Sequence, residues 1–185
     1  MKKILVIKGS ARENGATNTV IKEALKEFSV EEIKFFEPYK AEVKPCLNCG
    51  ACKSKPCCVY RDLDGFFEDF KAADVIIFAS PVFNGGFSSP LKAIIDRFQI
   101  FFNQFYENGR VQPIKKHRKA VLLCASGREA GEELRFMEKM LKRAFTVLNI
   151  ELTGIVLAEN TDEISEYSRE TQKLIALLKR SLKDE

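Results

Sequence analysis

Apolar positions along this chain fall into two rhythms. Apolar residues gather in stretches at 3–8, 31–36, 74–79, 119–124 and 150–158, the first holding a continuous run from Ile4 to Ile7. Such stretches predict strands buried on both faces of a parallel sheet. Between them, apolar residues return every three or four positions: Val20, Ile21, Ala24, Leu25 and Phe28, then Phe66, Phe67 and Phe70 within 62–73, then Leu91, Ile94, Ile95 and Phe98. The same period runs through 131–149 and 164–182. That spacing predicts amphipathic helices. Thr17, Asn18 or Thr19 can cap the first helix, and Ser89 followed by Pro90 opens the third. Strands alternating with helices predict an α/β three-layer sandwich, doubly wound, with right-handed crossovers. For five parallel strands the common order is 2-1-3-4-5, with a ligand at the carboxyl edge where strands 1 and 3 meet. Neither repeats nor a low-complexity linker interrupt the pattern, so one domain over 1–185 is expected.

Composition narrows the function. At 185 residues and 45% hydrophobic, the chain can bury roughly 70% of its unfolded surface. It needs neither metal nor disulfide merely to fold, so a cysteine cluster calls for a chemical reason. The net charge of +4 is dispersed over 30 basic and 26 acidic residues, which argues against a nucleic-acid surface. The apolar core of the N-terminus, Ile4 to Ile7, is too short for a signal peptide, and no later run reaches membrane-spanning length. A cytoplasmic protein with reduced thiols is expected.

Five of the six cysteines lie within thirteen residues, Cys46 to Cys58. The spacing Cys46-x2-Cys49-x2-Cys52, completed by Cys58 or by its neighbour Cys57, resembles an iron–sulfur ligand run. A structural zinc normally uses two separated pairs, and vicinal cysteines suit a disulfide poorly. A second chemical signal follows the first strand. The loop from Gly9 to Thr19, GSARENGATNT, offers backbone N–H groups, hydroxyls, Arg12 and a helix N-terminus to a phosphate. It is neither a dinucleotide fingerprint nor a Walker loop, since both glycine spacings are absent. The loops at 80–87 and 125–131, after strands 3 and 4, share that carboxyl edge. His117 reads as a solvated residue in a basic turn and Cys124 as a small core residue. Lys92 and Asp96 read as a helix-surface pair. The aromatic run from Phe98 to Tyr106 exceeds what a core needs and points to a subunit interface.

Three stretches, GSAR with a following threonine, CLNCGACKSKPCCVYRDLD and ADVIIFASPVFNGGFSSPLKAIIDR, together resemble the flavodoxin-like FMN reductase superfamily, and within it the iron–sulfur flavoproteins. The resemblance covers nearly the whole chain. It implies FMN, with Ser10, Arg12, Asn14, Thr17 and Asn18 around its phosphate. Pro81, Val82, Phe83, Asn84, Gly85 and Gly86 would line one side of the flavin ring, and Ala125, Ser126 and Gly127 the other. It further implies a 4Fe-4S cluster on Cys46, Cys49, Cys52 and Cys58, with Cys58 preferred because Val59-x-x-Asp62 then aligns. Ala11 replaces a frequent proline, and Phe83-Asn84 replaces a frequent tyrosine-containing pair. The implied activity is flavin-dependent electron transfer with a ferredoxin-like carrier and a small-molecule acceptor such as a quinone or an oxygen species, in a homodimer or homotetramer. Two alternatives stay open: a cluster-free NAD(P)H-dependent FMN or quinone reductase, and a non-enzymatic metal- or redox-sensing module.

Overall fold

The computed structural model describes residues 2–28 and 32–183. Its elements run β1 (Lys3–Lys8), α1 (Ala16–Leu25), β2 (Glu32–Phe36), α2 (Ala51–Ser54), α3 (Asp64–Ala72), β3 (Val75–Pro81), α4 (Ser89–Arg97), α5 (Gln99–Glu107), β4 (Arg118–Ala125), α6 (Gly131–Leu148), β5 (Ile150–Ala158) and α7 (Ser168–Leu182). The strands form one sheet in the order β2-β1-β3-β4-β5, every pairing parallel. This is the expected flavodoxin-like α/β arrangement. Only the start of the second strand, Glu31, falls outside the described residues.

Alternation along each strand builds two cores. Leu5 and Ile7, Ile76 and Phe78, and Ala120 and Leu122 face one side, under α3, α4 and α6. Ile4 and Val6, Val75 and Ile77, and Val121 and Leu123 face the other, under α1 and α7. The first core is rich in phenylalanine: Phe70 stacks on Phe98 with centroids 4.9 Å apart, and Phe67 meets Phe101 edge-on at 5.3 Å. Those contacts place two of the run's five aromatic residues, Phe98 and Phe101, in the core. It forms a helix of its own, α5, where no separate helix is predicted. Phe98 and Phe101 point inward while Phe102 and Tyr106 remain exposed.

Several boundaries differ from expectation for identifiable reasons. Gly15, extended at φ −73°, is the N-cap of α1, so Thr17, Asn18 and Thr19 lie in its first turn instead of capping it. Ser88, not Ser89, caps α4, leaving Pro90 near the start, where its missing N–H is harmless. The closing helix begins at Ser168 instead of 164, because residues 161–163 turn and bring Thr161 N–H to Ser126 O at 3.0 Å.

Candidate functional site

Parallel strands send their loops to one edge, and β1, β3 and β4 are adjacent there. After β1, Gly9 lies flat against β3, and its N–H donates to Ala79 O at 2.7 Å. A Cβ at Gly9 would stand 2.6 Å from that oxygen, so no larger residue fits. The loop then folds on itself. Arg12 O accepts from Gly15 N–H at 3.1 Å and from Asn18 Nδ2 at 2.7 Å, while Arg12 N–H donates to Ser10 Oγ at 3.3 Å. Thr17 and Asn18 are buried, and Asn18 Oδ1 has no hydrogen-bond partner. Arg12 and Asn14 are exposed. With no side-chain cap and no acid in the first turn, the N-terminal N–H groups of α1 keep their positive end free for an anion.

The loop after β3 is a tight reversal. Phe83 and Gly86 exchange backbone hydrogen bonds, both 2.9 Å, around Asn84 (φ 49°) and Gly85 (φ 77°). Two successive positive φ values favour Asn-Gly, the pair found here. Gly86 has no such constraint, and a Cβ there would meet nothing closer than 3.9 Å. The turn is tied to β4, because Val82 N–H donates to Ala125 O at 2.8 Å. Beyond β4, Ser126 N–H donates to Ala158 O at 2.8 Å, and Gly127 sits so close to the Asp162 carboxylate that a Cβ would clash. Glu159 Oε1 accepts from Ala130 N–H at 2.7 Å. Glu159, Thr161 and Asp162 thus brace this loop from the end of β5, a role that no local sequence signal carries. The structure therefore brings the 10–18, 81–86 and 125–127 positions to a single edge.

The cysteine segment takes another course. It contains the short helix α2 and folds against the end of α4 and along α5. Cys46, Cys49, Cys52 and Cys58 line one cavity of about 20 Å³, walled also by Arg97, Gln99, Ile100 and Asn103. Cys57 lines a separate groove of about 580 Å³, and Cys58 borders both. Asn103 Nδ2 donates to Cys52 Sγ at 3.0 Å, and Asn48 N–H to Cys46 Sγ at 3.5 Å. Four thiols around one cavity, with N–H donors on two of the sulfurs, fit the donor set of an iron–sulfur cluster. Among the described residues, no three His, Cys, Asp or Glu side chains converge as a finished metal cage.

A clamp closes the base of this segment. Arg97, 1% exposed at its side chain, donates from Nη1 to Lys44 O at 3.1 Å and to Asp62 Oδ1 at 3.0 Å. Its Nη2 donates to Tyr60 O at 3.1 Å. Lys44 N–H donates to Asp62 Oδ2 at 3.0 Å. Both flanks of the cysteines are thereby held by one guanidinium. Burial works to raise the Asp62 carboxyl, but the Lys44 N–H and the Arg97 guanidinium outweigh it and hold it below its ordinary value. Nothing in the residue pattern alone marks Arg97 as a clamp or Asn103 as a donor to sulfur, because those partners are distant in sequence. Since α4 starts just after the 81–87 turn and ends at Arg97, it spans the two constellations, about 13 Å for nine residues.

Residues outside these clusters behave as their types suggest. His117 is exposed. Cys124 is fully buried, and burial pushes its thiol up. Lys92 pairs with Asp96 at 2.6 Å on the surface of α4. Among the described residues no helix is long and apolar enough to cross a membrane.

Comparison with known proteins agrees with this geometry. The chain is 34% identical over 135 residues to an iron-sulfur flavoprotein of Methanosarcina thermophila, covering 71% of this chain and 67% of that one. It is 38% identical over 98 residues to an iron-sulfur flavoprotein of Methanocaldococcus jannaschii, covering 51% of each. The chain thus spans only about half the length of the latter. In fold it is similar to an FMN-dependent NADH-azoreductase of Bacillus anthracis solved with FMN, with a TM-score of 0.60 at 18% identity, over 98% of both chains. A model of the NADPH-dependent FMN reductase family matches residues 2–150. With this sheet, these edge loops and that match over most of its length, the chain belongs to the NADPH-dependent FMN reductase family.

Proposed function

We propose that the protein is a flavin-dependent oxidoreductase that carries FMN at the carboxyl edge and a 4Fe-4S cluster on Cys46, Cys49, Cys52 and Cys58. It would pass electrons between a ferredoxin-like carrier and a two-electron acceptor such as a quinone. The observation that carries this reading is the single cavity shared by those four thiols, with Cys57 outside it. When bound, FMN supplies both one- and two-electron exchange and the cluster supplies one-electron exchange. The chain's own part is to bind and orient. Ser10, Arg12, Asn14, Thr17 and Asn18, with the uncapped start of α1, would hold the phosphate. Backbone groups of Pro81, Val82, Phe83, Asn84, Gly85 and Gly86 would fix one edge of the ring, and Ala125, Ser126 and Gly127 the other. No acid or base from the protein is required. Arg97 and Asp62 keep the thiol-bearing loop in register. Phe102 and Tyr106, exposed with ring centroids 4.6 Å apart, support self-association as a homodimer or homotetramer. A monomeric mass by light scattering would count against that.

The test is an anaerobic ultraviolet–visible spectrum of iron-replete protein before and after dithionite, with FMN, iron and sulfide counted per chain. Flavin bands over a broad absorbance that bleaches on reduction are expected. The NADPH-dependent FMN reductase model that matches residues 2–150 favours a second reading, a cluster-free NAD(P)H-dependent FMN or quinone reductase. Flavin bands alone, with rapid NADPH oxidation in the presence of quinone, would select it. A colourless protein that takes up neither FMN nor iron would overturn both.

A further inference from the structure

We infer that Asn103, held in orientation by Gln99, is a positioning residue that raises the reduction potential of the cluster through a hydrogen bond to Cys52. This rests on the cluster assignment proposed above. Gln99 and Asn103 stand four residues apart on α5 and so share one helix face. Gln99 Nε2 donates to Asn103 Oδ1 at 3.0 Å, and Asn103 Nδ2 donates to Cys52 Sγ at 3.0 Å. The chain of donors runs one way. With its oxygen occupied by the Gln99 amide, the Asn103 NH₂ group faces the sulfur. Asn103 is only 8% exposed, and its neighbours Ile100 and Phe101 are buried and apolar. A buried amide in such surroundings needs partners. A neutral thiol is a weak acceptor, whereas a thiolate bound to iron accepts a charge-assisted bond.

A donor on a ligand sulfur favours the state with more negative charge, which is the reduced cluster. Removing it should make reduction harder.

The experiment loads wild type, Asn103→Leu, Gln99→Leu and the double variant anaerobically with ferrous iron and sulfide. Iron and sulfide are counted, and midpoint potentials are read by spectroelectrochemistry. The expected result is equal iron content, a midpoint shifted negative in Asn103→Leu and a smaller negative shift in Gln99→Leu. The double variant should match Asn103→Leu, because Gln99 acts only through Asn103. Unchanged midpoints in loaded variants, or a full Gln99→Leu shift persisting without Asn103, would overturn the inference while leaving the cluster intact. If Asn103→Leu retains no iron, the Gln99→Leu shift decides, since that variant keeps the donor and loses only its orientation. A wild type that takes up no iron overturns the cluster assignment itself, and this inference with it.

Discussion

At the scale of single residues, Gly85 and the Cys57–Cys58 pair carry the sharpest expectations. Gly85 holds φ at 77° inside a turn closed by two 2.9 Å hydrogen bonds. A β-branched residue there meets the left-handed penalty, about 1–2 kcal/mol. Gly85→Val should therefore open the turn and weaken FMN binding about tenfold. Fluorescence titration of the apoprotein with FMN checks this, and unchanged affinity would remove the turn from the flavin site. The two vicinal cysteines should separate cleanly. Cys57→Ser, altering a thiol in the outer groove, should keep its full iron content. Cys58→Ser, altering one in the shared cavity, should lose most of it. Iron analysis after anaerobic purification distinguishes them, and the reverse pattern would make Cys57 the fourth ligand.

At the scale of elements, the clamp joins α4 to the chain on both sides of the cysteines. Its energetics follow from burial: the Arg97 side chain is 1% exposed and that of Asp62 15%. Removing one partner of such a pair strands the other charge and costs about 3 kcal/mol. Because the folded Asp62 carboxyl lies below its ordinary value, the pair contributes stability above about pH 4 and loses it as pH falls through the depressed value. Asp62→Asn should thus be destabilised at pH 7, with the gap to wild type closing in acid. Denaturant melts of the apoprotein across that range test it. A gap that widens toward low pH would mean the carboxyl is not held by Arg97. Beside the first core, Arg118 closes two other elements: Nη1 donates to Phe70 O at 2.8 Å and Nη2 to Leu148 O, at the ends of α3 and α6. Burial pulls its guanidinium down to about 10, which leaves it charged at neutral pH and suited to terminal helix carbonyls.

At the scale of the whole molecule, the two cores lie on opposite faces of a continuous parallel sheet, and only Cys52 and Cys58 of the cysteine segment pack against one of them. The fold should therefore outlast loss of the proposed cluster. Chelation of iron from reduced protein should abolish the broad visible absorbance while leaving far-ultraviolet circular dichroism unchanged. Collapse of the dichroism on chelation would show that the segment is a folding element and not an addition to a finished sheet. The fold was legible in the sequence because β1, β3 and β4 carry unbroken apolar stretches and most helices show a clear apolar period. α5 was hidden: Phe98 ends one helix and immediately precedes the next, with no proline or glycine between them.

The amino-acid pattern by itself determined the order of the strands and of every helix but α2 and α5, the parallel sheet with its edge loops, and the set of thiols, because these depend on short-range periodicity and spacing. It also contained the Asn84–Gly85 turn, whose positive φ values follow from residue type. Tertiary structure alone decided which of Cys57 and Cys58 shares the cavity, which guanidinium clamps the segment and which amide meets a cysteine sulfur. Arg97 and Asp62 are 35 residues apart, and Asn103 and Cys52 are 51 apart. Such contacts are made when the helices settle on the sheet, and no local rule of sequence encodes where they land.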